Sequence, residues 1–412
     1  MSRQPSPSLP SCTNPAHNGS RVSRDGTYGR RKRQLFRCTL PSGEFHRFVP
    51  ALPREQVENG VCTQCDNPVH AHQGPVGMFR GYYQVKEMSA ALVDVAKGVT
   101  YAETARRVKA GYWGPGGTGQ LKANSVESGQ TIADWLNQFG PVISSNYTET
   151  QWPETLILDS TEYKYLDPRT GVLSQLFVVM AAWGYEAGSS RGRLWRVEAR
   201  PNDKTADWVD FLRALPGTPQ SVVYDGERSI RSASRQHFGN LTPTHICEHH
   251  LHVNVLKALA VDEAKGFVGP PRALLNDAFH GPKEWQTFRK AAQQSGCPAL
   301  TKWVAYWDQI VTTQTGLRRI LPAHYSTGPL DRALDTIRQA TESRKWTFRN
   351  RERMNQLLDL IRLRINRRDN PEAWAELMRE HLEANNGKPF RPRQLADPVT
   401  YRAGVRVYSL RA

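Results

Sequence analysis

The chain has 412 residues, with 55 Lys and Arg against 39 Asp and Glu and a formal charge of +16; its pI is near 9.7. That length exceeds one ordinary core, so two or three domains are expected, and no stretch approaches the roughly 20 apolar residues of a membrane-spanning helix. The cationic surplus favours a polyanionic partner, nucleic acid ahead of an anionic membrane, because each phosphate neutralised releases condensed counterions.

The opening MSRQPSPSLPSC is Pro/Ser-rich and lacks the apolar core of a signal peptide. A reducing, intracellular home is expected, with the six cysteines serving as thiols or metal ligands rather than disulfides. Residues 1–76 read as small zinc-binding modules. Cys12, His17, Cys38 and His46 frame a basic stretch from Arg21 to Arg37, and Cys62-x2-Cys65 is followed by His70 and His72. Too few apolar residues lie between them to bury a core, and structural Zn²⁺ held by thiolates and imidazoles would supply the missing folding energy. The plainer alternative is a disordered basic tail with incidental cysteines.

Residues 77–140 turn helical. Tyr83 to Lys97 carries Val85, Met88, Ala91, Leu92 and Val95 at helical spacing and stops at Gly98. Tyr101 to Lys109 follows, capped by Thr100, and a Gly-rich loop leads to a third helix over Ser128–Phe139. Three short helices in a basic chain predict a helix-turn-helix with the third helix in the major groove; an ordinary helical bundle is the alternative. Pro141 to Pro153 reads as a linker.

Residues 150–260 carry an α/β pattern. Thr155–Asp159 reads as a strand, resumed after a break by Glu162–Tyr165. Asp167–Gly171 is a hairpin turn, and Gln175–Gly184 and Leu194–Ala199 are further strands. Thr205 to Leu215 is an amphipathic helix with Trp208, Phe211, Leu212 and Leu215 on one face. It feeds Ser221–Tyr224, which ends abruptly on Asp225. Two buried strands that each finish on an aspartate place both acids at the carboxyl ends of an open sheet, where ligands bind. Next comes CEHHLH, from Cys247 to His252. One reading is a metal site joined by His245, His249 or His252, but a single thiol with adjacent histidines on a strand-to-helix turn makes no obvious tetrahedral set.

Residues 261–323 read as helical, with Trp285, Trp303 and Trp307 as packing anchors, and HYSTGPLD opens a last helical region over 324–386. There Arg338, Arg344, Lys345, Arg349, Arg351, Arg353, Arg362, Arg364, Arg367 and Arg368 stand among Leu and Ile. They predict a basic face tracking a phosphate backbone, with Arg344, Lys345, Arg349 and Arg353 as DNA contacts; a solvated helix face is the alternative. Residues 387–412 are Pro/Arg-rich and read as a peripheral arm.

Carboxylates fixed at strand ends suit Mg²⁺ or Mn²⁺, hard ions that prefer oxygen ligands. Two such ions about 4 Å apart serve in-line phosphoryl displacement, chemistry that asks little else of the protein. LILDSTEY around Asp159, VVYDGERS around Asp225, CEHH and STGPLD (326–331), in that order, resemble a bacterial DDE/D transposase of the Mutator-like superfamily over about residues 80–370. The resemblance implies a multidomain α/β protein whose ribonuclease-H-like mixed core is interrupted by an all-helical insertion. It implies Asp159, Asp225 and Asp331 as catalytic ligands of Mg²⁺ or Mn²⁺, with Cys247 and His250 bracing the core and touching DNA near the cut. Its partners would be double-stranded DNA, both terminal inverted repeats and target, and a second copy or more of itself, on the nucleoid in a bacterial cytoplasm with no membrane role. Where that family carries Glu and Asn, this chain has Asp331 and Gly328. The shorter Asp side chain leaves Glu342 and Glu352 as other third carboxylates. A zinc-containing DNA-binding regulator derived from a transposase is the alternative from another class, and a structure-specific nuclease with the same core is a third.

Overall fold

The computed structural model describes residues 21–28, 33–39, 45–48, 57–58, 61–62, 67–70, 74–75, 78–79, 83–110, 128–166, 170–318, 326–342, 351–385 and 407–410. It is a mixed α/β chain that clusters into two units. The first comprises residues 1–95, 99–143 and 370–392, and the second residues 96–98, 144–369 and 393–412.

In the first unit, β1 (Arg21–Tyr28), β2 (Arg33–Thr39) and β3 (Phe45–Phe48) form an antiparallel sheet in that order. A second small sheet joins β4 (Val57–Glu58), β5 (Val61–Cys62), β6 (Asn67–His70) and β7 (Gly74–Pro75), and β8 (Met78–Phe79) pairs with β9 (Tyr83–Gln84). Three helices follow: α1 (Val85–Ala96), α2 (Tyr101–Ala110) and α3 (Gly129–Ser145). The apolar positions of α1 recur every three or four residues, and Val85, Met88, Leu92 and Val95 are fully buried. Thr100 caps α2 by accepting the Glu103 N–H at 3.2 Å.

Of the linker expected over Pro141–Pro153, residues 146–153 are irregular, but the first part is the last turn of α3, which runs through the proline to Ser145. A proline removes one helical donor, but Val142 and Ile143 continue the buried stripe and hold the turn in place.

The second unit is built on one sheet. β10 (Thr155–Leu166), β11 (Leu173–Tyr185) and β12 (Arg193–Arg200) form an antiparallel meander. Helix α4 (Thr205–Leu212) then returns the chain to β13 (Ser221–Tyr224), parallel to β10. Helix α5 (Arg228–Phe238) leads to β14 (Thr244–Ile246), parallel to β13. The spatial order is β12-β11-β10-β13-β14. A further strand, β15 (Val407–Leu410), pairs antiparallel with β10 over Glu162–Tyr165. So the expected peripheral arm delivers a strand to the sheet.

The expected break after Asp159 is absent, because β11 pairs along the whole of β10 with one irregularity, at Tyr163/Lys164. On the other side, β13 covers Thr155–Leu158 and β15 covers Glu162–Tyr165. Asp159, Ser160 and Thr161 lie at the fork between those two neighbours. Asp159 is therefore a mid-strand residue at a gap in the sheet, not a strand end.

One face of the sheet carries Leu156, Leu158, Met180, Ala182, Val222 and Tyr224 against Trp208, Phe211 and Leu212. The same apolar cluster takes in Val255 and Leu259 from α6 (Glu248–Glu263), Leu275 from α7 (Arg272–Asp277), Trp285 and Phe288 from α8 (Pro282–Gln294), and Leu300 and Val304 from α9 (Pro298–Leu317). The helical insertion thus shares its core with the sheet. On the opposite face lie α10 (Gly328–Glu342) and α11 (Arg351–Ile365), while α12 (Pro371–Ala384) clusters with the first unit. Two asparagines close the outer edge of β12. The Asn355 side chain accepts the Ala199 N–H at 2.6 Å, and the Asn366 amide pairs with both the N–H and the C=O of Leu194 at 2.9 Å. An edge treated this way has few free groups to offer another strand.

Candidate active site

Asp159 projects from the middle of β10 and is 8% exposed. Because Leu158 is in parallel register with Tyr224, Asp159 and Asp225 each directly follow the last position paired between the two neighbouring strands. β13 stops there for a local reason. Asp225 Oδ1 accepts the Glu227 N–H at 2.9 Å and Gly226 takes φ +110°, a turn that carries the chain off the sheet into α5.

Asp331 arrives from the other direction, in the first turn of α10. Its N–H donates to the Thr327 C=O at 2.9 Å, and Thr327 Oγ1 donates to Asp331 Oδ2 at 3.2 Å. Burial first, then the charges of Asp225 and the neighbouring Asp331, hold the Asp159 carboxyl well above its usual range. Burial also raises Asp225, an effect opposed by the Glu227 N–H and by the charge of His250. The structure thus gathers the three sequence-predicted acids around the fork. Glu342 sits at the far end of α10, roughly 16 Å along the axis from Asp331, and Glu352 lies in the first turn of α11. Among the described residues no three His, Cys, Asp or Glu side chains stand close enough to hold a metal ion as they are.

Cys247, fully buried at the start of α6, donates its N–H to the Tyr224 C=O at 2.7 Å. Its Sγ receives the Thr327 N–H at 3.3 Å, and Thr327 Oγ1 lies 3.4 Å from that sulfur and 3.3 Å from His250 Nδ1. His250 is pushed up to about 9, chiefly by its hydrogen bond to Cys247 and then by Asp225 and Asp331, so it is an imidazolium at neutral pH. Burial pushes the Cys247 thiol up, but the hydrogen bonds from His250 and Thr327 bring it below its ordinary value. The other histidines of the motif go elsewhere. His249 is exposed, His252 pairs with Asn276 at 3.2 Å, and His245 is buried in β14 with burial holding it down at about 4. Thr327 is the residue that sequence reasoning missed. Its signal was a Ser/Thr one residue before a helix start, in STGPLD.

Of the ten cations expected to form a basic face on the last helices, Arg338, Arg362, Arg364 and Arg368 are engaged with groups of the protein itself. Arg362 is 4% exposed and donates to the Tyr147 C=O at 3.1 Å. Arg364 donates to the Ala96 C=O at 3.3 Å, Arg368 pairs with Glu149 at 3.6 Å, and Arg338 pairs with Asp335. The cause is the Leu and Ile content of α11, which buries the helix on most sides and draws its long cationic stems inward. Arg353 is half-buried on α11; Arg344, Lys345 and Arg349 lie outside the described residues.

Of the expected zinc ligands, Cys12, His17, Cys65 and His72 lie outside the described residues. Cys38 and His46 are directly opposed in register on β2 and β3. Cys38 is buried against Phe36 and Val22. Cys62 faces Asn67 across β5 and β6, and His70 faces Gly74 across β6 and β7. No family model matches the chain, and no curated protein matches it.

Proposed function

We propose that this protein is a DNA transposase of the DDE/D class, with residues 150–369 forming a ribonuclease-H-like core around a helical insertion. The observation that carries this reading is the gathering of Asp159, Asp225 and Asp331 at the fork where β13 gives way to β15. Carboxylates on neighbouring central strands, met by a third from a helix on one face, are what such a core requires.

The site fits Mg²⁺ or Mn²⁺ by its donor chemistry. All three groups are oxygen acids, and burial together with the charges of Asp225 and Asp331 makes the Asp159 carboxyl favour either a proton or a hard cation. When bound there, such ions supply charge stabilisation for in-line phosphoryl displacement. Asp159 and Asp225 would be the principal ligands and Asp331 the third. The chain's own part is to hold these acids in place. The Glu227 N–H fixes Asp225, the Thr327 hydroxyl fixes Asp331, and the His250 imidazolium offsets part of the negative charge.

On this reading the first unit recognises terminal inverted repeats, through a helix-turn-helix within residues 77–140 and structural Zn²⁺ at the N-terminal cysteines and histidines. The second unit hydrolyses a phosphodiester and joins the freed 3′-hydroxyl to target DNA, as a dimer or larger assembly on a bacterial nucleoid. The test is strand transfer in vitro. The full chain is mixed with a labelled fragment of the DNA flanking its own gene, with Mg²⁺ or with EDTA. Cation-dependent cleavage and joining, lost in Asp159→Ala, is the expected result. Tight binding with no cleavage in Mg²⁺ or Mn²⁺ would overturn it in favour of a DNA-binding regulator.

A further inference from the structure

Helix α5, RSIRSASRQHF, begins three residues after Asp225 and contains no acid. Its arginines Arg228, Arg231 and Arg235 stand at i, i+3 and i+7, one stripe of a helix. Arg228 is at the carboxylate end, and Arg235 lies roughly 10 Å further along the axis. Arg228 and Arg235 are exposed and Arg231 is half-buried. Among the described residues none of the three makes an ion pair, and Arg231 Nε is buried without a hydrogen-bond partner. A basic stripe left without acids beside an acidic site is unbalanced unless a polyanion lies along it.

The head of the stripe has a second feature. The Arg228 guanidinium lies 5.6 Å from the ring centroid of Tyr306 on α9, and its Nε donates to Tyr306 Oη at 3.1 Å. Tyr306 is 52% exposed and meets Trp307 edge-on at 4.8 Å. Trp307 in turn lies against the turn that carries Asp225, within 3.6 Å of where a Cβ on Gly226 would sit. A half-exposed aromatic ring held at its hydroxyl by a guanidinium offers a surface for a nucleobase and a donor fork for the adjoining phosphate.

We propose that Arg228, Arg231 and Arg235 form a phosphate track for the DNA strand running from the Asp159–Asp225 site, with Tyr306 stacking on a base at its head. At about 3.4 Å per phosphate of one strand, the stripe spans roughly three phosphates. The inference rests on the function proposed above, but its readout is binding rather than cleavage.

The test uses the full chain and a forked DNA duplex of random sequence with 2-aminopurine in one single-stranded arm. Arg231→Gln and Arg235→Gln should each lower the slope of log K against log salt by about one, while Lys265→Gln, on an exposed loop after α6, leaves it unchanged. Tyr306→Ala should lose the 2-aminopurine quenching that wild type and Tyr306→Phe show. Wild-type slopes in both arginine variants, with quenching intact in Tyr306→Ala, would overturn the track even if flanking-DNA cleavage by the wild type is normal. Reduced slopes and lost quenching in a protein that never cleaves would support the track and overturn the proposed chemistry instead. Unchanged thermal midpoints in all variants show that folding is not the cause.

Discussion

Helices α5 and α11 are both arginine-rich, and the structure uses them in opposite ways. In α11 the residues Leu357, Leu358, Leu360, Ile361 and Leu363 are all fully buried. A helix covered on that many sides carries its cations inward, where Arg362 must find a carbonyl. In α5 only Ile230, Ala233 and Ser234 are buried, so one narrow face docks, Arg228 and Arg235 stay outside, and Arg231 is only half covered. Arginine count therefore does not tell an outward basic stripe from an inward one; the width of the apolar stripe between the arginines does.

The comparison can be broken at several points. The largest effect is expected at the acid that α5 follows. Asp225→Ala should remove strand cleavage below detection while DNA binding stays near that of wild type, as read in parallel cleavage and mobility-shift assays. Loss of both together would mean that the acid supports the fold rather than the chemistry.

Next is Arg362→Met, which should lower stability by about 3 kcal/mol, because the carboxylate of Asp359 and the carbonyl of Tyr147 lose their shared partner. Denaturant unfolding measures this. The molecules that remain folded should keep wild-type DNA affinity, and a specific loss of affinity would restore α11 as a binding face.

His245 handles a buried cation differently, by staying neutral. Its folded value of about 4 is below the usual 6.5 of an unfolded chain. The stability it contributes is thus present above pH 6.5 and lost as pH falls from 6.5 toward 4, where the unfolded state takes up the proton first. The loss reaches roughly 3 kcal/mol at the acid end. In His245→Leu the unfolding midpoint should vary less over that window; an unaltered slope would assign the acid sensitivity elsewhere.

Smaller still is Asn355→Ala, which strands the Ala199 N–H at the β12 edge and should cost about 1–2 kcal/mol. Smallest in stability is Arg235→Gln, whose unfolding free energy should stay within about 0.5 kcal/mol of wild type. A larger change would mean that α5 arginines, like those of α11, serve the fold.

Much of the sheet was legible because its strands are β-branched runs with clear ends. SVVY before Asp225 and the long apolar QLFVVMAAWG left few other readings. The error at Asp159 arose from DSTEY, a polar interval that looks like a break in the chain. It is tolerated within a strand because β11 supplies hydrogen bonds along its length. Asp331 was found through its neighbours in STGPLD, but Thr327, which joins it to Cys247 and His250, depends on a contact across 80 residues that local pattern cannot reveal. The inward roles of Arg362 and Arg364 were hidden for the same reason. Their partners, Tyr147 and Ala96, are distant in sequence.

The fork at Asp159 has a consequence in time. The outer half of β10 acquires its neighbour β15 only after the roughly 240 residues between Leu166 and Val407 have been made. At about 5–20 residues per second, a ribosome takes some 10–50 s to do so. Through that interval one flank of β10 offers bare peptide groups to any complementary strand, including one on a sister chain emerging from the same message. Whether the sheet closes with its own strand or a neighbour's is thus decided partly by the pace of translation.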